Sequence, residues 1–419
     1  MSDNVYVIGV GMIKFGKWIG RGIKNLTGEA LDLVLADCGL TRRDLQAAWF
    51  SNSGWGGSEG QHSIRGQVAL SANGLEKIPV INVENACASG STALHSAWMS
   101  IKAGVYDCAL AIGVEKMYYP SRGAEGMKGF IGGTDVEETL KWMEAMKEEA
   151  RKKKEEAARP ASGQGEAPPE KKKGHSVFMD FYAAGARLHM KAYGTTQRQL
   201  AVIAAKAHNN SVHNPLAQYT FPQTVEQVMN DREVAFPLTR AMCAPIGDGA
   251  AAAVICSDNF FKRHSSRRAA RILASIMKSG SRTGENDICE RASLASYEAA
   301  GVGPKDIDVV ELHDATAFGE LYQSEQMGFC PKGQGGPLAE SGATAIDGSI
   351  PINTSGGLMS RGHPIGASGL AQIYELVTQL RGEAGKRQVK DPRIAMAENG
   401  GGTLGRGEAA MNIHILEKL

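Results

Sequence analysis

The feature that most constrains this chain is a design written twice. Residues 29–50, EALDLVLADCGLTRRDLQAAWF, and residues 291–312, RASLASYEAAGVGPKDIDVVEL, follow one plan at one length. Each reads as an amphipathic helix, a glycine that stops it, and an apolar strand. Ala30 aligns with Ala292, Gly39 with Gly301 and Asp44 with Asp306. A second pair follows in the same order. CASGSTALHSAWMSIKAG (87–104) and GASGLAQIYELVTQLRG (366–382) share Ala-Ser-Gly, a long helix and a closing glycine. The apolar strands CALAIGVE (108–115) and RIAMAENGGG (393–402) come next. Chance likeness of short helices is the alternative, but two coincidences in one order favour a duplicated α/β unit. The unit is too long for a solenoid repeat.

Composition narrows the function. With 46 basic against 45 acidic side chains in 419 residues, the net charge of +1 offers no footprint for nucleic acid or an anionic membrane. No apolar run reaches the ~18 residues of a membrane span. The opening VYVIGVGMIKFG reads as a buried strand ending in glycines, without the basic start of a signal peptide. The final Glu-Lys-Leu is not the Ser-Lys-Leu address. Seven cysteines form neither a C-x-x-C pair nor a zinc spacing, so no metal site is expected and a reducing, cytoplasmic setting is. Glycine, 51 residues, is in excess without any collagen period, which points to tight turns and close backbone approach.

Between the halves the texture changes. From Asp135 to Lys173 the chain carries about as many acids as bases and almost no β-branched residues, with Glu137–Lys141, Glu148–Lys152 and Glu149–Lys153 in the favourable order for a solvated helix. Val136, Leu140, Met143 and Met146 supply a narrow apolar stripe, and PASGQGEAPPE (160–170) reads as a flexible linker. A surface insertion is the simpler reading; a docking stripe for a partner is the other.

Four segments carry candidate chemistry. In Asn85-Ala-Cys87-Ala-Ser-Gly-Ser91 a strand ends and a helix begins, so the Cys87 thiol meets the helix dipole and unpaired N–H groups, which favour thiolate. The small residues Ala88, Ser89 and Gly90 would admit a substrate; an inert buried cysteine is the alternative. In Asn353-Thr-Ser-Gly-Gly-Leu-Met-Ser-Arg-Gly-His363-Pro, glycines and Pro364 fix an irregular loop before a helix, and one histidine held there suits a general base. By the repeat this loop is the counterpart of the Cys87 segment, so the two would face each other across a pseudo-twofold axis. The third is a strand ending in His313-Asp314. The fourth, Glu398-Asn-Gly-Gly-Gly402, could form an anion nest.

Together these segments resemble the thiolase superfamily, most closely its sterol-carrier-protein-2-like branch, over nearly the whole chain. NACASGSTALHSA is similar to the nucleophile segment, GGLMSRGHPIGASG to the histidine segment and ELHDATAF to the His-Asp-Cys-Phe segment. YGTTQRQLAVIAAKAHNNSVHNPLAQ and DGAAAAVI resemble the loop region and the return to the N-terminal half. The resemblance implies an α/β thiolase fold: two duplicated βαβαβαββ halves in a five-layered αβαβα sandwich plus a loop domain. It divides the chain into an N-terminal half (1–118 and 241–265), a loop domain (119–240) holding the charged insertion 135–173, and a C-terminal half (266–419). It implies that Cys87 is the acylated nucleophile, His363 its base, and His313 part of the oxyanion hole. Ser355, Gly356 and Gly401 are the implied contacts to substrate and coenzyme A. Coenzyme A is the co-substrate, and no permanently bound cofactor is implied.

The chain departs from the family where a second cysteine serves as acid/base for the α-carbon. The Cys-x-Gly loop reads Glu398-Asn399-Gly400, and His-Asp-Cys-Phe carries Ala315. Glu398 is the candidate replacement; Asn399 takes its place on a one-residue shift, and His313, water or the substrate could handle the proton instead. The same departure occurs in thiolase subunits that act with a small zinc-ribbon/OB-fold partner, among them archaeal acetoacetyl-CoA thiolases and a benzoylsuccinyl-CoA thiolase. The expectation is therefore a homodimeric acyl-CoA acyltransferase that cleaves or forms a β-ketoacyl-CoA carbon–carbon bond. A condensing synthase and a non-catalytic scaffold subunit are the alternatives; Gly-His363-Pro speaks against the first, and Cys87 with His363 against the second.

Overall fold

Strand β1 (Val5–Met12) introduces the architecture, because its two faces serve different layers. The computed structural model describes residues 4–122, 131–157, 177–264, 268–283, 287–405 and 407–419. In β1, Val5 and Val7 face the centre of the molecule and Tyr6 and Ile8 face outward. A register shift between Val7 and Gly9 then turns Val10 and Met12 to the centre. Gly9 and Gly11 are left facing the helix Ile23–Cys38, where a Cβ on Gly11 would lie 2.5 Å from the Val34 nitrogen. The glycines of the first strand thus seat a helix on the sheet.

The remaining strands of the N-terminal half are β2 (Ala47–Ser51), β3 (Val80–Val83) and β4 (Cys108–Glu115). A small ribbon, β5 (Glu233–Ala235) and β6 (Leu238–Thr239), belongs to the long excursion that comes next, and β7 (Gly249–Ser257) returns to the first half. The C-terminal half contributes β8 (Ala270–Ser279), β9 (Val309–Glu311), β10 (Ile394–Gly401) and β11 (Ala410–Lys418). The order β3-β2-β4-β7-β1-β8-β11-β10-β9 makes one mixed sheet of nine strands. Outward from the β1–β8 contact, the halves mirror each other. That contact is narrow, Tyr6 opposite Arg271 and Val7 opposite Ala270. Where the first half has β3, the second has, among the described residues, a bridge between Val310 and Ile352.

The duplication holds residue by residue. Ala30 and Ala292 are both fully buried under their helices. Gly39 and Gly301 both adopt the left-handed conformation at φ 69°, which lets the chain leave each helix without a Cβ clash. Asp44 accepts from Thr41 N at 2.8 Å, and Asp306 accepts from Gly303 N at 2.8 Å. Two helices, Ser89–Lys102 and Ser368–Leu380, share one core with the inner faces of both half-sheets. The outer faces are covered by Ile23–Cys38 on one side and Ile288–Ala300 on the other. Five layers result, with the paired helices at the centre.

A separate core joins the helices Val177–Tyr193, Gln197–Ser211 and Ala317–Gln326, the last arising in the C-terminal half. The charged insertion contains the helix Val136–Ala157, with Lys141–Glu137 at 2.5 Å and Arg151–Glu148 at 2.8 Å on its wet face. Val136 and Leu140 are exposed, while Thr139 is buried and Trp142 packs on Phe181 with ring centres 5.7 Å apart. Arg282 pairs with Asp135 and Glu138 at the foot of the helix. The linker 160–170 and the Met146 side chain lie outside the described residues.

Candidate active site

Cys87 is delivered by a strained elbow. After β3 the chain turns at Ala86, a non-glycine residue at φ 48°. The turn is held by Glu84, which accepts from Ala86 N (2.7 Å), and by the Ser89 hydroxyl, which accepts from Asn85 N (2.8 Å) and donates to Ala86 O (2.6 Å). The helix starts at Ser89, leaving the sulfur at its N-terminus. Gly90 leaves no room for a substrate. A Cβ there would lie 3.0 Å from Gly366 O, and one on Gly369 would lie 2.2 Å from Ser91 Oγ. The repeated Ala-Ser-Gly therefore lets the two central helices converge tip to tip.

That convergence brings His363 Nε2 to 3.1 Å from Cys87 Sγ. The tautomer follows from the serine behind the ring. Ser368 donates its only hydroxyl proton to Pro364 O (2.9 Å), so it accepts from His363 Nδ1–H (2.7 Å). Nε2 then presents its lone pair to the thiol. Burial keeps the imidazole well below its ordinary pKa, with His313 and Arg361 adding to the effect. The thiol departs from the expectation drawn from its helix. Burial pushes Cys87 up to about 12, the charges of Glu115 and Glu84 push the same way, and the N–H groups of Cys87 and Gly402 pull back only in part. Desolvation works against the helix terminus here, and it disfavours both the thiolate and the imidazolium.

His313 completes the cluster. Its backbone N–H donates to Glu398 Oε2 (2.8 Å), and the preceding Leu312 N–H donates to Asn353 Oδ1 (2.9 Å). Among the described residues neither ring nitrogen has a protein partner although the residue is buried, and burial lowers its pKa to about 4. The ring stands edge-on to His363 with centres 5.3 Å apart. Sγ of Cys87 and one nitrogen of each histidine all lie within 4.8 Å of one another. A neutral imidazole with no internal partner can donate one N–H to an oxygen placed in this space.

The three residues open into a cavity of about 1210 Å³. Its walls carry Phe181, Tyr182, Tyr219, Phe318 and Tyr322, and Gly401 and Gly402 line it beside the nucleophile. A Cβ on Gly401 would lie 2.3 Å from Asn85 O, so this glycine packs on the nucleophile elbow. Ser355 and Gly356 do not line the cavity. Ser355 donates from N (3.0 Å) and Oγ (2.6 Å) to buried Glu311, which also receives Arg361 at 2.9 Å; Gly356 at φ 99° packs on Ser211. They brace the histidine loop from behind.

Glu398 is also set back. Ala395 and Ala397 on β10 face the central core, so Asn399 faces it too and accepts from Ser91 Oγ (3.0 Å). Glu398 shares the opposite face with Met396, fully buried, and burial raises it to about 8. It is absent from the cavity wall, whereas Glu408 is on it. Sequence reasoning missed Glu408, Ser368 and Glu115. The last accepts from Ser53 N, Gly54 N and Gly366 N (2.9, 2.9 and 3.1 Å) and ties the halves together beside the site. The repeat held a signal for Ser368, the counterpart of Ser89.

The chain is similar to known proteins over nearly its whole length. A model of the thiolase N-terminal domain matches residues 5–237, and one described as thiolase C-terminal domain-like matches residues 275–416. An acetyl-CoA acetyltransferase of Methanothermobacter thermautotrophicus is 37% identical over 417 residues, covering 98% of this chain and 99% of that protein. Sterol carrier protein 2 of Bos taurus is 36% identical, covering 95% of this chain and 70% of its own. The benzoylsuccinyl-CoA thiolase subunit BbsB of Thauera aromatica is 32% identical, covering 96% of each. The solved Ltp2-ChsH2(DUF35) aldolase shares the fold at TM-score 0.74 and 20% identity, over 100% of this chain and 98% of that one.

Proposed function

The chain belongs to the thiolase family of acyltransferases acting on coenzyme A thioesters, and from that premise we propose the reaction its cavity performs. Cys87 attacks the ketone carbon of a β-ketoacyl-CoA while His363 Nε2 takes the thiol proton. The carbon–carbon bond breaks, the acyl group stays on sulfur, and the electron pair leaves as the enolate of an acyl-CoA. His313 donates its N–H to the enolate oxygen, and the N–H groups of Cys87 and Gly402 face the alkoxide formed at the ketone carbon. A proton added at the α-carbon completes the departing acyl-CoA. His363 gives up its proton as one is added at the α-carbon; coenzyme A then attacks the acyl-Cys87 thioester with neutral His363 again as base, and the Cys87 sulfur leaves as thiolate and takes that proton back. The observation that carries this reading is the 3.1 Å contact between His363 Nε2 and Cys87 Sγ at the floor of one cavity.

The acyl group we assign is bulky and ring-bearing rather than acetoacetyl. An acetoacetyl unit would leave most of the aromatic wall formed by Phe181, Tyr182, Phe318 and Tyr322 without a contact. A benzoylsuccinyl-CoA-like substrate fits that wall. Two assemblies belong to the same proposal. β3 is an edge strand with Ile81 exposed, open to a second copy in a homodimer. Leu188 and Tyr193 stand 70% and 52% exposed at the cavity rim, an apolar mouth that a small zinc-ribbon/OB-fold partner would cover. Free cysteines suit the cytoplasm.

Mass spectrometry after incubation with benzoyl-CoA and with acetyl-CoA tests the chemistry. An adduct on the peptide holding Cys87, lost in Cys87→Ser, is the expected result; an adduct on Cys108, or one that persists in the variant, overturns it. Thiolysis of aryl and short-chain β-ketoacyl-CoAs then tests substrate size, and faster turnover of acetoacetyl-CoA would reverse that assignment.

A further inference from the structure

The reaction requires a group that moves a proton at the α-carbon, and neither cysteine position of the family supplies one here. Glu398 and Ala315 stand in those places. Glu398 commits one oxygen to the backbone of His313 and lies behind the cavity wall. Glu408, on the turn between β10 and β11, lies on that wall with Cys87, His313 and His363.

Its approach to the site is fixed by a glycine. A Cβ on Gly400 would sit 3.0 Å from Glu408 Cγ and 3.5 Å from His313 Nδ1. The carboxylate stem and the imidazole therefore flank one point, and the missing side chain at Gly400 is what lets them. Gln323 Nε2 donates to Glu408 Oε1 at 3.0 Å, which orients the carboxylate. Tyr182 marks the same space from across the cavity: after burial, the charges of Glu408 and then Cys87 are what raise its pKa.

We infer that Glu408 is the acid/base that exchanges a proton with the α-carbon of the acyl-CoA, a role that rests on the thiolase reading above. In the condensing direction the Glu408 carboxylate removes one α-proton and becomes the carboxylic acid. The C–H electron pair becomes the enolate, whose oxygen takes the His313 hydrogen bond; the enolate carbon attacks the carbonyl of acyl-Cys87, the carbon–sulfur bond breaks, and the departing Cys87 thiolate takes up one proton through His363 while the Glu408 acid gives one back to solvent. In the cleaving direction the carboxylic acid returns the proton to the enolate carbon. Proton and charge balance without a further reactant. Glu398 becomes a positioning residue that holds the backbone of His313.

The test separates this step from the acylation chemistry. In deuterated water, wash-in of deuterium at the α-carbon is followed for acetyl-, propionyl- and succinyl-CoA, alongside acylation of Cys87 by benzoyl-CoA. Failure of the parent enzyme to acylate Cys87 would overturn the thiolase reading itself. With the parent active, Glu408→Gln should acylate within about twofold of the parent and exchange at least about 100-fold more slowly, the scale of a general acid–base group. Exchange within threefold of the parent overturns the assignment. Should Glu408→Gln not acylate, Glu408→Asp is read instead: acylation with exchange at least tenfold slower supports the role, and unchanged exchange or lost acylation overturns it.

Discussion

The nucleophile loop and the histidine loop occupy equivalent places in the two halves, yet matching residues do different work. Ser89 opens the first central helix and clamps the elbow that strains Ala86. Ser368 opens the second and fixes the tautomer of a histidine lying outside its helix. At the strand ends, Glu115 on β4 grips the histidine loop through Gly366 N, while Gly401 on β10 only makes room for the nucleophile loop. Each half thus supports the other's loop. A duplicated scaffold supplies two convergent helix tips, and single side chains on them divide nucleophile from base.

The largest effect that would break this comparison is kinetic. His363→Ala should slow alkylation of Cys87 by iodoacetamide at pH 7 by about 100-fold or more, and by far less at pH 9. Ser368→Ala should slow it about tenfold, because the ring loses the partner that keeps Nε2 unprotonated. Ser89→Ala should leave the pH dependence unchanged and lower stability instead. Equal pH profiles for the two serine variants would dissolve the division of labour. Burial, which raises the Cys87 thiol, favours attack coupled to proton transfer to His363.

A second effect concerns a contact that spans the halves. His95 on the nucleophile helix and His414 on β11 share the Ser275 hydroxyl of β8, each at 2.9 Å. Burial lowers both, His414 to about 3. An unfolded chain takes up these protons near the ordinary histidine value of 6.5 and the folded chain does not. Stability from the pair is therefore complete above pH 6.5 and is lost as pH falls toward 3. His414→Gln should flatten that acid limb by a few kcal/mol in denaturant titrations at pH 4 relative to pH 7. Buried Glu115 and Glu398, raised to about 7 and about 8, act in the opposite sense and weaken the fold as pH rises from 4.5 through those values. An acid limb of unchanged depth in the variant would remove His414 from this account.

Much of this frame was legible in the residues. Gly39 and Gly301, Asp44 and Asp306 matched because each pair performs a local task that needs one residue type. The meeting of Cys87 with His363 was legible because the repeat sets their two loops opposite each other. The side of a strand was not. Glu398 and Asn399 are neighbours on β10, and a one-residue change of register exchanges their faces, so the sequence could not say which of the two faces the central core. Glu408 was hidden for the same reason: it belongs to a turn whose aim depends on the pairing of β10 with β11. Ser355 and Gly356 adjoin the histidine in sequence, but the loop turns them onto Glu311 and Ser211.

Packing at the helix tips sharpens the comparison further. A Cβ on Gly369 would meet Ser91 Oγ at 2.2 Å, Asn399 Oδ1 at 2.5 Å and Ser91 N at 2.6 Å. On Gly90 the nearest atom is Gly366 O at 3.0 Å. Gly369→Ala should cost about 1–3 kcal/mol, the range for overpacking a filled core, and Gly90→Ala clearly less. Urea unfolding of both variants measures the difference. A reversed order would mean that the histidine loop is the rigid member of the pair.

The smallest effect is the strictest test of the duplication. Gly39 and Gly301 share φ 69°, end equivalent helices, and have open space where a Cβ would go. Replacing either with alanine therefore adds no clash and strains only the left-handed backbone, by about 1 kcal/mol. Beyond the caps the two chains run alike: Leu40, next to Gly39, packs against the outer core of the first half, as Val302 does in the second. If the caps are true counterparts, Gly39→Ala and Gly301→Ala should lower unfolding free energy equally, within about 0.5 kcal/mol, and their double variant should show the sum, as distant independent sites do. A loss confined to one cap would mean that the other helix end adjusts, and that the halves match in form but not in rigidity.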